Sequence, residues 1–392
     1  MTKEFEAKTI CILGRQPALG LAELESVYGS GHVKPGPQST ALLDIDGFEI
    51  NFKNLGGTIK VARVLADIPS VHWPECLSYL KEKVPQNLNL EDGKFTLGVS
   101  LYGFDATPGK INRDLISLKK TIKSAGFSSR IVPNKQPALS SAQVLHNKLT
   151  RRGSSELLLV KNGDKTILAQ TIFVQDIDAY SARDQARPAR DARVGMLPPK
   201  LAQIILNLSQ PEKNAIILDP FCGSGVVLQE ALLMGFDVVG TDIDRKMVDF
   251  SDKNLDWLAQ RHEIGKYKLG LADATSFKWP KFDTVASEVY LGRPFSSLPE
   301  KSTLKSVITD VNTITKKFLI NLRSQIKPSV KFCIAVPSWI DGKRVIRLPL
   351  IDQLTDVGYN RYDLVHVRSE DLLYFREGQT VARELLILEK VK

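Results

Sequence analysis

The sequence predicts an α/β fold, with a doubly wound parallel sheet in the second half of the chain and an α+β region before it. From residue 197 onward, short apolar runs alternate regularly with helical patterns. Before residue 190, strand-like runs follow one another with few helices between them. The length of 392 residues, with 43% hydrophobic and 25% charged residues, provides cores for two or three globular domains.

In the second half, most predicted strands are short, apolar and followed by a helix, as in βαβ units. The predicted helices cover residues 197–209, 225–235, 245–260, 301–325 and 345–358. The predicted strands cover residues 215–219, 237–242, 267–272, 282–288, 330–337, 362–368 and 382–391. No helix separates the last two strands, so we expect the parallel sheet to end in a β-hairpin.

The first half has an α+β pattern, with its clearest helix at residues 111–126. The stretch SARDQARPARDARVG, residues 181–195, is charged and lacks periodicity, which is typical of a linker or an ordered loop. The strands predicted in this half cover residues 9–13, 40–45, 94–102, 156–160 and 165–174. We therefore expect a first domain at 1–180, a linker at 181–196 and a second domain at 197–392.

The net charge of +9 is concentrated in two stretches. Residues 101–200 hold 17 Lys and Arg against 8 Asp and Glu, and residues 301–350 hold 10 against 2. Such clustering favours a nucleic acid as partner over ordinary solvated helix faces. The candidate RNA-binding residues in the first of these stretches are Lys110, Lys119, Lys120, Lys123, Arg130, Lys148, Arg151 and Arg152.

Several classes of site are not indicated. The four cysteines form no CxxC pair and do not cluster with the five histidines, so we expect neither a zinc site nor a disulfide framework. The first residues contain only four consecutive apolar positions, 10–13, which is too few for a signal peptide. No later run is long enough to span a bilayer. We expect a cytoplasmic protein with no metal and no membrane partner.

The stretch AIILDPFCGSG, residues 215–225, predicts a strand, a glycine turn and the start of a helix. Gly223 and Gly225 allow the backbone to pass close to a ligand. No GK[ST] follows, so the turn is not a P-loop, and Leu228 stands where a dinucleotide fingerprint needs a small residue. Asp219 would repel a pyrophosphate and attract a cationic amine.

Two further acids follow the next two strands. Asp242 is placed to accept hydrogen bonds from ribose hydroxyls, and Asp273 from an adenine amino group. An acid that attracts an amine, a glycine turn, an acid for the ribose and an acid for the adenine base together indicate a site for S-adenosylmethionine, a nucleoside with no phosphate. The alternative for each acid alone is an ordinary solvated side chain in a turn after a strand.

The segment DPFCGSGVVLQEALLMGFDVVGTDIDRKMVDFSDKNL resembles the cofactor-binding core of class I methyltransferases. RPARDARVGMLPPKLAQIILNLS is similar to the lead-in of the tRNA guanosine-10 N2-methyltransferase family, in which a THUMP domain precedes the Rossmann-like catalytic domain. This resemblance implies a THUMP-like RNA-binding region in the first half and tRNA as substrate. It also implies a cofactor pocket formed by Pro198, Asp219, Phe221, Gly223, Gly225, Asp242, Ile243, Asp273 and Ala274.

The chain departs from that family after the fourth strand. The family reads F-D-x-x-x-T-D-P-P-Y-G, whereas this chain reads F-D-T-V-A-S-E-V-Y-L-G, so that Glu288 takes the place of Asp and Leu291 that of Tyr. A carboxylate there accepts N–H bonds from the target amine, and the aromatic ring stacks on the flipped base. Glu288 extends the acceptor by one carbon–carbon bond, about 1.5 Å. Tyr290, one position earlier, is the candidate to stack on the base.

Three functions remain open from the sequence. The favoured one is an RNA methyltransferase that modifies the N2 amine of guanosine in tRNA. The second is a catalytically weak or degenerate methyltransferase that binds RNA. The third, from the fold alone, is a nicotinamide-dependent oxidoreductase, against which Leu228 and Asp219 argue.

Overall fold

The computed structural model describes residues 5–88, 94–190, 196–295 and 297–391. The chain forms two compact units. The first unit comprises residues up to Pro17 together with Gly29–Lys53 and Thr58–Ile177. The second comprises Ala18–Tyr28, Asn54–Gly57 and the chain from Asp178 onward.

The elements are named in chain order. The strands are β1 (Thr9–Leu13), β2 (Val33–Pro35), β3 (Thr40–Leu43), β4 (Thr58–Ile68), β5 (Lys94–Tyr102), β6 (Ser128–Ile131), β7 (Ser154–Asn162), β8 (Lys165–Val174), β9 (Ile216–Asp219), β10 (Asp237–Asp242), β11 (Tyr267–Leu271), β12 (Thr284–Glu288), β13 (Lys331–Asp341), β14 (Arg344–Ile346), β15 (Tyr359–Arg361), β16 (Leu373–Tyr374) and β17 (Val381–Lys390). The helices are α1 (Pro17–Tyr28), α2 (Trp73–Gln86), α3 (Pro108–Ser124), α4 (Ser141–His146), α5 (Ile177–Gln185), α6 (Pro199–Leu208), α7 (Val226–Leu233), α8 (Arg245–Ala259) and α9 (Lys301–Arg323).

The first unit is built on an eight-stranded sheet in the order β2-β3-β1-β4-β8-β7-β5-β6. Strand β5 runs parallel to β6 and β7, and the other neighbours are antiparallel. Helix α3 buries Ile111, Leu115, Leu118 and Ile122, whose spacing of three and four residues places them on one face. That face and the apolar face of α2 pack on β5 and β7, which forms the α+β core predicted for this half.

The second unit contains the predicted parallel sheet, in the order β11-β10-β9-β12-β13-β17-β15. The five strands from β11 to β13 are parallel, and β17 runs antiparallel to both β13 and β15. Strands β9 and β12 are buried in the middle of the sheet, as expected from their continuous apolar sequences. The doubly wound sheet with antiparallel closing strands is therefore present.

Two elements of the second unit were predicted wrongly. The expected helix at 345–358 is instead β14 followed by two 3₁₀ turns, Pro349–Gln353 and Thr355–Val357, because residues 344–346 pair with the end of β13. Residues 362–368 do not form the expected strand, and a short strand, β15, lies directly before them at Tyr359–Arg361. Beyond it, two backbone N–H groups donate to a side chain instead of to a neighbouring strand.

That side chain belongs to α1, which packs in the second unit although it lies near the start of the chain. Glu25 accepts from the backbone N–H groups of Val365 at 2.6 Å and His366 at 2.9 Å. Glu23, on the same helix, is fully buried and accepts from Gly56 N, Gly57 N and Asn207 Nδ2, each at 2.8 Å. Burial raises the pKa of Glu23 to about 7 despite these donors.

The predicted linker is partly helical. Its first residues belong to α5, which ends at Gln185. Arg187 and Ala189 are buried, and Ala189 exchanges backbone hydrogen bonds with the Asn254 side chain at 3.0 and 2.9 Å. Residues 191–195 lie outside the described part of the chain.

Candidate active site

The candidate site lies at the edge of the second sheet where four neighbouring strands end. Asp219, Asp242 and Glu288 are the last residues of β9, β10 and β12, and Asp273 follows the end of β11 by two residues. These strands run parallel in the order β11-β10-β9-β12. Because the carboxyl ends of parallel strands meet at one edge, the four acids share that edge.

The glycine turn between β9 and α7 is held by the acid at the end of β10. Gly223 and Gly225 have φ values of +52° and +83°, which favour glycine. Asp242 accepts from Gly223 N through Oδ2 and from Asp244 N through Oδ1, both at 2.9 Å. A Cβ on Gly225 would lie 2.9 Å from Ser251 Oγ, whereas one on Gly223 would meet no atom of the described residues within 4 Å. The turn is therefore packed at Gly225 and open at Gly223.

Asp219 is 1% exposed and has neutral hydrogen-bond donors. Its Oδ1 accepts from Ser287 Oγ at 2.6 Å and from Phe221 N at 3.3 Å. Burial raises the pKa of Asp219 to about 7, against the effect of both donors, and the charges of Asp242 and Glu288 raise it further. A positively charged ligand group would compensate this buried carboxylate.

A cavity of about 80 Å³ opens beside Asp219. The predicted site residues that line it are Asp219, Phe221, Gly223 and Glu288. Sequence reasoning missed Met196 and Met247, which also line it and carried no signal beyond their apolar character. The cavity thus joins the glycine turn to the end of β12. The predicted cofactor residues outside its lining are Pro198, Gly225, Asp242, Ile243, Asp273 and Ala274.

Asp273, the acid predicted to contact adenine, is exposed and held by a neighbouring residue. Asp273 Oδ1 accepts from Thr275 N at 2.8 Å and from Thr275 Oγ1 at 2.7 Å. These two bonds lower the pKa of Asp273, and the nearby Lys317 lowers it slightly more. The neighbouring Ala274 is buried, and its carbonyl accepts from Asn321 Nδ2 at 3.0 Å.

The three other predicted cofactor residues have different environments. Ile243 follows Asp242 and is 71% exposed, an unusually open position for an aliphatic side chain. Phe221 packs edge-on against Phe318, with ring centroids 5.1 Å apart. Pro198 is the N-terminal cap of α6, where its carbonyl accepts from the first helical N–H groups.

Glu288 forms an ion pair, but with Arg383 and not with a nearby base such as Arg293, the partner that the sequence suggested. Its Oε1 lies 2.5 Å from Nε of Arg383 on β17, and the two side chains are 17% and 6% exposed. Burial raises the pKa of Glu288, whereas Arg383 lowers it. The next residue, Val289, donates its N–H to Ala335 O at 3.0 Å. Tyr290 is 43% exposed at the same edge.

The eight predicted RNA-binding residues are all exposed, and most lie at one edge of the first sheet. Parallel strands β5, β6 and β7 start at that edge. Helix α3 leads into β6. At the turn before β7, Ser154 Oγ donates to Arg151 O at 2.9 Å. The residues at this edge are Lys123, Arg130, Lys148, Arg151 and Arg152, with Lys119 and Lys120 one turn back on α3. Lys110 lies at the other end of α3, so it is separated from the rest.

Two kinds of feature are absent from the described ranges. Residues 5–88, 94–190, 196–295 and 297–391 contain no group of three or more His, Cys, Asp or Glu side chains suited to hold a metal ion. None of the helices in these ranges has the length and apolar character needed to cross a membrane.

Comparisons with known proteins cover both units. The family model for the RMKL-like methyltransferase domain matches residues 187–317. The chain is 32% identical over 186 residues to the tRNA (guanine(10)-N2)-dimethyltransferase of Methanothermobacter thermautotrophicus, which is 47% of this chain and 51% of that protein. It therefore spans about half the length of this relative.

One further sequence relative and one solved structure are also similar to this chain. The chain is 31% identical over 120 residues to a probable tRNA (guanine(10)-N2)-dimethyltransferase of Methanothermococcus thermolithotrophicus, covering 30% of this chain and 74% of that protein. The crystal structure of TrmN from Thermus thermophilus has a TM-score of 0.52 at 16% sequence identity, covering 98% of this chain and 100% of that one. At that identity the similarity shows a shared fold.

Proposed function

The chain belongs to the family of the tRNA (guanine(10)-N2)-dimethyltransferases, and from this premise we propose that it methylates the N2 amine of a guanosine in tRNA with S-adenosylmethionine. Its class I methyltransferase fold agrees with the predicted fold class. The observation that carries the proposal is the cavity in which Asp219, Gly223 and Glu288 meet. A buried acid, an open glycine turn and the proposed amine acceptor line it together.

The side chains around the glycine turn have the chemistry needed to bind S-adenosylmethionine. Asp219 is a buried carboxylate with neutral donors, which suits the ammonium group of the methionine part. Asp242 accepts one backbone bond on each oxygen, and each oxygen has a second lone pair for a ribose hydroxyl. Exposed Ile243 and the acceptor Asp273 are the candidates to contact adenine. When bound, the cofactor supplies a methyl group on a positively charged sulfur.

Glu288 is the proposed acceptor for the target amine. The lone pair of guanine N2 is delocalised into the ring, so the amine is a poor nucleophile. A hydrogen bond from N2–H to the Glu288 carboxylate favours sp³ geometry and stabilises the positive charge that develops as N–C forms and S–C breaks. The excess proton on the methylated nitrogen would leave to solvent, directly or by way of the Glu288 carboxylate. Tyr290 is exposed beside Glu288 and is proposed to stack on the base.

The first unit is the proposed RNA-binding part, with the THUMP-like region at 1–180, the linker at 181–196 and the catalytic domain at 197–392. The support is the basic edge where β5, β6 and β7 start. Segments 18–28 and 54–57 of that region pack with the second unit. We also propose a cytoplasmic location, because tRNA is the proposed substrate.

A second candidate is a degenerate methyltransferase that binds cofactor and RNA without efficient turnover. The ion pair with Arg383 favours it, because a carboxylate oxygen engaged by a cation is a weaker acceptor for an amine. The nicotinamide-dependent oxidoreductase is set aside, since the family of the chain is that of methyltransferases.

The test is to incubate the protein with unmodified tRNA and methyl-labelled S-adenosylmethionine, digest the RNA and identify the labelled nucleoside. We expect label in N2-methylguanosine or N2,N2-dimethylguanosine. Label in another nucleoside would contradict the assignment of the target. Cofactor binding without label in any RNA would favour the degenerate methyltransferase.

RNA binding is tested separately with charge reversals in the full chain. Lys119 and Lys123 are four residues apart on α3 and share an exposed face. We expect Lys119→Glu with Lys123→Glu to weaken tRNA binding and to reduce its salt dependence, because phosphate contacts are lost. Lys81→Glu with Glu82→Lys on α2 is the control, since it leaves the net charge unchanged. Equal affinity and salt slope in wild type and the double reversal would contradict this interface.

A further inference from the structure

The Glu288 carboxylate is held by a residue from a strand two positions away in the sheet. Strand β13 lies between β12, which ends in Glu288, and β17, which carries Arg383. Arg383 is opposite Pro337 of β13 and Tyr374 of β16, and its side chain is 6% exposed. Its Nε donates to Glu288 Oε1 at 2.5 Å. The contact joins the closing antiparallel strand directly to the proposed amine acceptor.

Glu288 has two properties that limit it as an acceptor. It lines the same cavity as Asp219, so that two buried acids lie close together, and Asp242 adds a third negative charge beside Asp219. Such an environment favours the protonated acid, which is a weaker hydrogen-bond acceptor than the carboxylate. A glutamate also has one more rotatable bond than the aspartate of the family motif, so its oxygens are less well fixed.

We propose, on the basis of the function proposed above, that Arg383 is a positioning residue that keeps Glu288 ionised and fixes its carboxylate for the target amine. Binding at Oε1 leaves Oε2 for N2–H. The guanidinium supplies the positive charge that the acids around Glu288 otherwise lack. It also restrains the longer side chain, which replaces the shorter aspartate of the family. Arg383 touches neither substrate nor cofactor in this proposal.

The charged groups around Glu288 determine the sign of the expected pH effect. Arg383 faces it from β17 and lowers its pKa, whereas burial raises it. Asp219 faces it from β9, and Asp242 lies behind Asp219 at the end of β10. Removing Arg383 leaves the influences that raise the pKa unopposed. The acidic limb of the pH–rate profile should therefore move to higher pH, because only the ionised carboxylate accepts well.

The experiment compares Arg383→Gln, Arg383→Lys and the control Arg376→Gln. Arg376 is exposed and donates to Tyr374 Oη, so its substitution removes one positive charge from the same region without touching Glu288. We expect Arg383→Gln to move the acidic limb of kcat up by about one pH unit or more, with an unchanged KM for the cofactor. Arg383→Lys should restore part of this shift, and Arg376→Gln should match the wild type.

A second measurement does not depend on turnover. The protein labelled with ¹³C at the glutamate carboxyl carbon is titrated by NMR, with Glu288→Gln to identify the signal. A higher Glu288 pKa in Arg383→Gln, and an intermediate one in Arg383→Lys, supports the proposal. If Arg383→Gln does not fold, Arg383→Lys alone tests it.

An unchanged Glu288 pKa would overturn the inference, and so would faster turnover in Arg383→Gln at every pH, which would show that Arg383 masks Glu288. An inactive wild type in which Arg383 still lowers the Glu288 pKa would instead contradict the proposed function alone.

Discussion

The candidate site has a proposed cofactor side, at the glycine turn, and a proposed amine side, at Glu288, and the two are built in different ways. On the cofactor side, the glycine turn is closed by a bond between Gly223 and Asp242, which are 19 residues apart. On the amine side, the decisive contact joins Glu288 to Arg383, 95 residues further along the chain. The cofactor side is thus defined by neighbouring strands, whereas the amine side depends on the strand that closes the sheet. The Glu288 side is therefore completed by a residue that no local motif contains.

The departure from the family motif on the amine side has a structural counterpart in the backbone. Val289 stands where the family has its first proline, and its N–H donates to Ala335 O. Proline has no N–H, so this chain continues the pairing of β12 with β13 by one bond that the family residue cannot make. Glu288 and Val289 therefore belong to the same altered strand end.

The largest expected effect is on turnover, from a change on the amine side of the site. Glu288→Ala removes the proposed acceptor and should lower turnover by about 100-fold or more, the scale for deleting one electrostatic stabiliser. Cofactor affinity should stay close to the wild-type value, because Glu288 is not among the proposed cofactor ligands. Steady-state methylation of tRNA and calorimetry with S-adenosylmethionine check both parts. Glu263→Ala, at an exposed glutamate of the same unit, is the control. Unchanged turnover with lower thermal stability would show that the Glu288 pair is structural.

The cofactor side should respond in affinity. Asp242→Ala removes a charged acceptor and should weaken S-adenosylmethionine binding by about 1.5–3 kcal/mol, or about 10- to 150-fold in Kd. Calorimetry measures this, with Asp249→Ala on the exposed face of α8 as the matched control. Equal affinity in both variants would remove Asp242 from the cofactor site. If Asp242→Ala also lowered kcat at saturating cofactor to a comparable extent, Asp242 would act on turnover as well as on affinity, and the two sides would not be separable.

The stability of variants at Val289 tests whether the backbone bond to Ala335 stabilises this strand end. Val289→Pro removes the N–H that bonds Ala335 O and should lower the free energy of unfolding by about 1–3 kcal/mol. Val289→Ala loses side-chain packing but keeps the N–H, so the comparison of the two isolates the backbone bond. Denaturant unfolding measures both. If the proline variant is as stable as the alanine variant, the bond is not important to this strand end.

The smallest effect concerns the pH dependence of cofactor binding. The carboxyl group of Asp219, with a pKa of about 7, is neutral below that pH and ionised above it. The proposed ammonium ligand favours the ionised form, so affinity should follow the ionised fraction and fall by about 15-fold between pH 7 and 5.5. Calorimetry across this range tests the sign, and Asp219→Asn should bind weakly with little pH dependence. Tighter binding at lower pH would contradict an ammonium beside Asp219.

The backbone geometry of the glycine turn could be predicted from the sequence because it is local. A buried strand that ends in Asp219, a turn with two glycines and a following helix bring the backbone to the sheet edge whatever the rest of the chain does. The next strand then places Asp242 beside that turn. Ser287 was a missed signal, since a serine in an otherwise apolar buried strand needs a hydrogen-bond partner, and Asp219 is that partner.

Arg383 could not be predicted in the same way. Its contact with Glu288 depends on the order β12-β13-β17, which follows from no local pattern. The two wrongly predicted elements have similar causes. Residues 345–358 have the apolar spacing of a helix, but their first residues pair with β13. Residues 362–368 have strand-like composition, but backbone donors at 365 and 366 bond to Glu25.

The bonds made by α1 also bear on when this helix reaches its final contacts during translation. The backbone donors of Val365 and His366 are synthesised 340 and 341 residues after Glu25. Until those residues are synthesised, Glu25 lacks these donors, and the second unit lacks one of its helices in final form. The first unit can be finished much sooner, because its last residue is Ile177. Helix α1 is therefore synthesised about 340 residues before it can make these final contacts.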